Sequence, residues 1–194
     1  MAVFLIGFSW TLHAEGNPKA GKAKALICSA CHGSKGISPN TLWPNLAGQH
    51  EDYTRKQLHY FKAGKQRYAP MMSPMVATLD AQDIEDLAAY YAQLPTPKAA
   101  SSAKPSLRGK QLYRQGDGGR HIPACITCHG PDGRGNASAG FPVIAHQQID
   151  YTIQQLQAFK SRTRSTDPMA IMRTMSARLS DEDMRAVAEY LAVM

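Results

Sequence analysis

Two stretches of this 194-residue chain, "LICSACHG" at 26–33 and "ACITCHG" at 124–130, hold all four of its cysteines. Each places two thiols three positions apart, with a histidine directly after the second: Cys28, Cys31 and His32, then Cys125, Cys128 and His129. On one turn of helix, that spacing lets both thiols add across the two vinyl groups of a haem as thioethers. It also sets the adjacent histidine under the iron as a proximal ligand. Zinc is the main rival for paired Cys-x-x-Cys. A zinc site shared between pairs some 94 residues apart would not require a histidine after each. A thioredoxin-type pair would follow a strand, and no strand pattern precedes either pair. A disulfide within a helical Cys-x-x-Cys has poor bridging geometry. The motifs therefore predict two covalently attached haem c groups.

An iron held by one histidine has a sixth position, and a methionine thioether is a soft ligand that raises the reduction potential. Six of the nine methionines lie in two clusters some 40 residues after each motif histidine: Met71, Met72 and Met75, then Met169, Met172 and Met175. Isolated methionines in a helical protein are core filler. Matching clusters are not isolated, and one methionine in each is expected to bind iron. Aligning Leu79 with Leu179 pairs Met72 with Met172 and Met75 with Met175. Met75 and Met175 lie close to helix starts, where packing inward is more natural. Met72 and Met172 are read as loop residues, free to reach an iron. His50, His59, His121 and His146 have no counterparts in the other half and are read as surface or supporting residues. A ligating histidine normally donates its far N–H to a fixed acceptor. Pro44 of "WPNLAG" and Pro142 of "FPVIAH" stand at matching positions, with carbonyls suited to accept it.

The duplication runs well beyond the cysteines. "DYTRKQLHYFK" (52–62) matches "DYTIQQLQAFK" (150–160), and "MSPMVATLDAQDIEDLAAYY" (72–91) matches "MRTMSARLSDEDMRAVAEYL" (172–191), at shifts of 98 and 100. Two copies of one fold are implied, too few for a solenoid. Ile84, Leu87, Ala88 and Tyr91 fall at helical spacing, as do Met184, Val187, Ala188 and Leu191. Asp80 and Ser180 are placed as N-caps, with Asp83 and Asp183 three residues on. A second helix is expected over each "DYT" stretch, and a third at about 18–31 and 107–115. No run alternates like a strand. The fold class is all-α: two tandem helical domains, each wrapped around a covalently bound haem.

"PTPKAASSAKPS" (95–106) has a linker's composition. It divides the chain into a first domain, 15–94, and a second, 107–194. Segments this small have marginal cores unless a metal or cofactor adds to them. Residues 1–14, "MAVFLIGFSWTLHA", are too short to span a bilayer and resemble the apolar region of a secretory signal ending at Ala14. They lack a basic residue near Met1, so the start is read as truncated, and the mature protein as exported to the periplasm. The net charge of +7 is uneven: nine Lys/Arg against seven Asp/Glu in residues 1–97, giving +2, and thirteen against eight in 98–194, giving +5. Scattered arginines without a basic run fit nucleic acid poorly. A mild positive field suits an acidic protein surface or an anionic membrane face.

Taken together, "CSACHG … PNLAGQ … MSPM … DLAAYY" and "CITCHG … FPVIAHQ … MAIMR … VAEYL" resemble the dihaem cytochrome c4 family of exported bacterial electron carriers. The likeness covers about residues 16–194. It implies two class I cytochrome c folds packed face to face, each iron held by histidine and methionine. Carried over, Cys28, Cys31, His32 and Met72 hold one haem, and Cys125, Cys128, His129 and Met172 the other. The second copy departs in reading "PVIA", with His146 where the first has Gly48, which weakens the expected support of its histidine. The resemblance further implies an electron carrier rather than an enzyme. It would shuttle electrons in a respiratory chain between redox protein partners, from a donor such as a quinol-oxidising complex to an acceptor such as a terminal oxidase. The alternative is a dihaem electron-transfer subunit of a dehydrogenase complex. A dihaem peroxidase would need an open iron position, which symmetric methionine clusters disfavour.

Overall fold

The computed structural model describes residues 15–99 and 105–194. The export segment expected over 1–14 lies outside them, as does the middle of the linker. Among the described residues, ten α-helices run in two series of five. The first is α1 (Pro18–Lys24), α2 (Ser29–His32), α3 (Glu51–Ala63), α4 (Met72–Ala77) and α5 (Ala81–Gln93). The second is α6 (Leu107–Gln115), α7 (Ile126–His129), α8 (Ile149–Lys160), α9 (Ile171–Ser176) and α10 (Asp181–Val193). Among the described residues extended pairing is limited to three isolated bridges.

The last helix of each series is the best determined by local chemistry. Asp80 caps the backbone N–H of Asp83 at 2.7 Å, and the Asp83 carboxylate accepts from the Asp80 N–H at 3.0 Å. Ser180 and Asp183 repeat this reciprocal box at the start of α10. The expected apolar stripes follow. Ile84, Leu87, Ala88, Tyr91, Met184, Val187, Ala188 and Leu191 are all at most 5 % exposed. Burying a side chain such as Leu87 contributes about 2 kcal/mol.

Each stripe is crossed by the first helix of its series, and a glycine sets the approach. A β-carbon on Gly21 of α1 would lie 1.9 Å from the Asp86 carbonyl oxygen, and one on Gly109 of α6 would lie 1.9 Å from that of Ala186. Only a residue without a side chain lets these backbones touch. The third helix, α3 or α8, packs on the other side of the stripe and also against the short fourth helix.

Two expectations are corrected here. The helix expected over 18–31 ends at Lys24; a turn through Ala25–Cys28 separates it from α2. Met72 and Met172 are not in loop. They lie in the first turns of α4 and α9.

The two halves meet around a pseudo-twofold arrangement of polar contacts. The Gln49 side chain spans the backbone of Val143, and the Gln147 side chain spans that of Asn45. Tyr53 and Gln57 meet Arg164, while Tyr151 and Gln155 meet Arg67. Arg67 and Arg164 themselves form an antiparallel bridge. Each contact is matched by one at a shift of 97 or 98, so the same patch is used from both sides, as at a twofold dimer interface.

Candidate haem sites and the family they define

Each Cys-x-x-Cys-His unit closes one short helix. The His32 N–H donates to the Cys28 carbonyl at 2.9 Å, and the His129 N–H to that of Cys125 at 3.0 Å. In this i to i+4 turn the first cysteine and the histidine lie on one face of the helix. The four cysteines are free thiols, each half-buried. Burial pushes the Cys28 thiol up and that of Cys125 to about 11, so both remain protonated at neutral pH.

The histidine rings are buried, 5 % and 7 % exposed. His32 Nδ1 donates to the Pro44 carbonyl at 2.9 Å, and His129 Nδ1 to the Pro142 carbonyl at 3.1 Å. A carbonyl can only accept, so the proton is on Nδ1 and the Nε2 lone pair is free. The expected proline acceptors are therefore both in place. Burial lowers both imidazole pKa values from the ordinary 6.5, and the carbonyl bonds offset this only in part. Both rings are neutral at pH 7, the form that binds a metal.

The departure of the second copy does not weaken this support. His146 adopts φ 56°, close to the φ 70° of Gly48, so the chain after Pro142 follows the same path. Its Nδ1 bonds the Pro97 carbonyl at 2.7 Å, and its Nε2 the Met194 carbonyl at 2.5 Å. Of the other unmatched histidines, His50 bonds the Arg134 carbonyl across the two halves at 2.9 Å.

The residues packed around the two motifs fit a largely apolar group. In the first half, a small buried cluster of Ala25, Leu87, Tyr90 and Tyr91 is ringed by half-buried Cys28, Leu46, Leu58, Leu79 and Leu94. The buried Tyr91 hydroxyl in that cluster has no hydrogen-bond partner among the described residues. In the second half Cys125, Ile126, Ile144, Met172 and Met175 are the half-buried rim of the core. Met71 and Met169 stand 69 % and 89 % exposed, and Met75 is 42 % exposed, whereas Met72 is half-buried. The expectation that Met75 packs inward does not hold, while Met175 does pack against the core. Among the described residues no group of three or more His, Cys, Asp or Glu side chains is placed to hold a metal ion.

Sequence reading missed the cross-half contacts of Gln49, Gln147, Arg67 and Arg164. A signal was present: Gln49, Tyr53 and Gln57 recur as Gln147, Tyr151 and Gln155 at the constant shift of 98.

A short helix presenting two thiols and a neutral, carbonyl-anchored imidazole is the haem-attachment unit of a c-type cytochrome, and this chain has it twice. The family model for cytochrome c matches residues 19–95 and 106–194. Cytochrome c4 of Thiocapsa roseopersicina is 45 % identical over 178 residues, 91 % of this chain and 92 % of that protein. The crystal structure of reduced recombinant cytochrome c4 from Pseudomonas stutzeri superposes with a TM-score of 0.87 at 38 % identity, covering 91 % of this chain and 98 % of that one. A thiosulfate dehydrogenase electron acceptor of Thiomonas intermedia is 38 % identical over 181 residues, 89 % of this chain and 81 % of that protein. The chain belongs to the dihaem cytochrome c4 family of tandem cytochrome c domains. It is an electron-transfer protein with two covalently attached haem c groups, not an enzyme, and it works with redox partners.

Proposed function

We propose that Cys28, Cys31, His32 and Met72 hold the haem of a first domain over 15–94, and Cys125, Cys128, His129 and Met172 that of a second over 107–194, joined by the linker 95–106. The observation that carries this is the pair of proline-anchored rings, each directly following two cysteines of the same short helical turn. Each haem, when bound, supplies a one-electron Fe(III)/Fe(II) couple. The thiols would attach it, the imidazole and the thioether would ligate its iron, and the apolar rim would keep the local dielectric low, so that the group would exchange electrons rather than bind oxygen or peroxide. Two domains in one chain hold two electrons, or relay one across the interface.

The protein is exported to the periplasm by residues 1–14 and carries electrons from a donor such as a quinol-oxidising complex toward a terminal oxidase. No described helix is long and apolar enough to cross a membrane. The acceptor docks on the second domain. A cleft of about 340 Å³ there is lined by Lys160, Arg162, Arg173 and Arg178 beside the Met172 helix. In the first copy Gly64, Ser73 and Thr78 stand in place of the three arginines. The similarity to a thiosulfate dehydrogenase electron acceptor supports a second reading, in which the donor is a periplasmic dehydrogenase.

Ligand assignment is tested by Met72→Ala and Met172→Ala. Each should abolish the weak ferric iron–sulfur absorption band of one haem and lower its potential. Met75→Ala and Met175→Ala should leave both intact; loss of the band in these variants would move the assignment one turn.

A further inference from the structure

The peptide group that receives each histidine proton is gripped from its other end by the opposite domain. The Pro44 carbonyl, which accepts from His32 Nδ1, and the Asn45 N–H are two ends of one peptide unit. That N–H donates to Gln147 Oε1 at 2.8 Å. The second site is built the same way: the Pro142 carbonyl accepts from His129 Nδ1, and the Val143 N–H of the same unit donates to Gln49 Oε1 at 3.0 Å.

Each glutamine is fixed from both sides. Gln147 Nε2 donates to the Asn45 carbonyl at 3.0 Å, and Gln49 Nε2 to the Val143 carbonyl at 2.8 Å. An N–H facing Oε1 and a carbonyl facing Nε2 admit only one amide orientation. Each Oε1 also accepts the N–H of the next residue, Gln148 at 2.9 Å and His50 at 3.0 Å.

We infer that Gln147 and Gln49 are cross-domain positioning residues, each tuning the haem of the domain to which it does not belong through a single peptide group. An acceptor on the peptide N–H draws electron density toward its carbonyl oxygen. The carbonyl becomes a better acceptor, the histidine N–H bond is weakened, and Nε2 becomes a stronger donor. A stronger imidazole donor favours Fe(III) over Fe(II), so each glutamine holds down the potential of the opposite haem. The consequence for function is that the interface sets the driving force between the two haems, beyond holding them together.

The inference rests on the assignment of His32 and His129 as iron ligands, and its test uses the intact dihaem protein. Midpoint potentials of both haems are measured by spectroelectrochemistry in Gln147→Leu, Gln147→Glu and the corresponding Gln49 variants. The two haems are distinguished by the NMR resonances of their bound methionines. Gln147→Leu, which removes the acceptor, should raise the potential of the first-domain haem and leave that of the second in place. Gln147→Glu, which keeps an acceptor and adds charge, should lower it. Both variants lose the bond to the Asn45 carbonyl, so a merely structural role would move the potential in the same direction in both. The His32 Nδ1 proton resonance of the reduced protein should shift upfield in Gln147→Leu while that of His129 stays. Gln49 variants should show the mirror image. Equal shifts at both haems, a shift only in the glutamine's own domain, or unchanged potentials would overturn the inference. A protein whose imidazoles are not bound to iron would instead overturn the ligand assignment.

Discussion

Arg67 and Arg164 lie against each other where the two domains meet, and among the described residues no carboxylate bonds either one. Their side chains are buried, and each guanidinium covers its own phenylalanine, Arg67 over Phe61 at 4.3 Å and Arg164 over Phe159 at 4.4 Å. Neutral groups accept their hydrogen bonds. Arg67 donates to Gln57, Tyr151 and Gln155, and Arg164 to Gln155, Tyr53, Gln57 and Thr166. Burial and the neighbouring Arg164 charge lower the pKa of Arg67. Stacking and neutral hydrogen bonds thus outweigh a like-charge repulsion.

That balance predicts a non-additive mutational cycle. Arg67→Met takes the donor from the Tyr151 hydroxyl and Arg164→Met that from Tyr53, while Gln57 and Gln155 keep the other arginine, so each should cost about 2 kcal/mol, reduced by relief of the repulsion. The double variant removes the repulsion only once, so its loss should differ from the sum of the singles by at least about 0.5 kcal/mol. Denaturant unfolding of the three proteins measures this. Simple additivity would show that the two guanidiniums do not interact.

Acid should unpick the cap of α10. Asp183 is 6 % exposed at its side chain and bonds Arg108 at 3.0 Å and Arg120 at 2.7 Å. Burial alone would raise its pKa, but the Arg120 bond, the Ser180 N–H and the Arg108 bond outweigh burial and hold it at about 2, against 3.8 unperturbed. The folded value is depressed, so the stabilisation is complete above about 3.8 and is lost as pH falls through about 2. Asp183→Asn should therefore lower stability by about 2 kcal/mol at pH 7, with the gap to wild type narrowing below pH 4. A gap that stays constant with pH would assign the loss to packing.

Docking on the basic cleft should depend on salt. Arg162 adopts φ 63°, a left-handed conformation that Gly64 takes at the matching position of the first domain. An arginine there costs on the order of 1 kcal/mol relative to glycine, so Arg162→Gly should stabilise the fold while removing a charge. In Arg162→Gly/Arg178→Thr, electron transfer to an acidic redox protein should slow about tenfold at low ionic strength. Its salt dependence should also be flatter than that of wild type, since screening acts over roughly 8 Å at physiological salt. Wild-type rates indifferent to salt would instead point to an apolar contact.

Much of this architecture was legible because it rests on local rules. The capping boxes at Asp80 and Ser180, the stripes of α5 and α10, and the Cys-x-x-Cys-His turns each depend on residues within a few positions of one another. The methionines were harder. Whether Met72 starts a helix or ends a loop depends on how α4 docks against α3, and no spacing along the chain records that. The interface was hidden for another reason. Gln49 and Gln147 read as ordinary polar residues, and only the folded pairing shows that each spans the backbone of the other copy. His146 in place of Gly48 looked like a loss, yet its left-handed backbone and two carbonyl bonds keep the loop in register.

Each Cys-x-x-Cys-His unit should bind one haem covalently, which intact mass and a haem stain on denatured protein will show. The mature protein should exceed its polypeptide mass by two haems and keep its haem absorbance after denaturation. Cys28→Ala/Cys31→Ala and Cys125→Ala/Cys128→Ala should each retain one. A polypeptide of unmodified mass, with zinc by elemental analysis and no Soret band, would contradict the account.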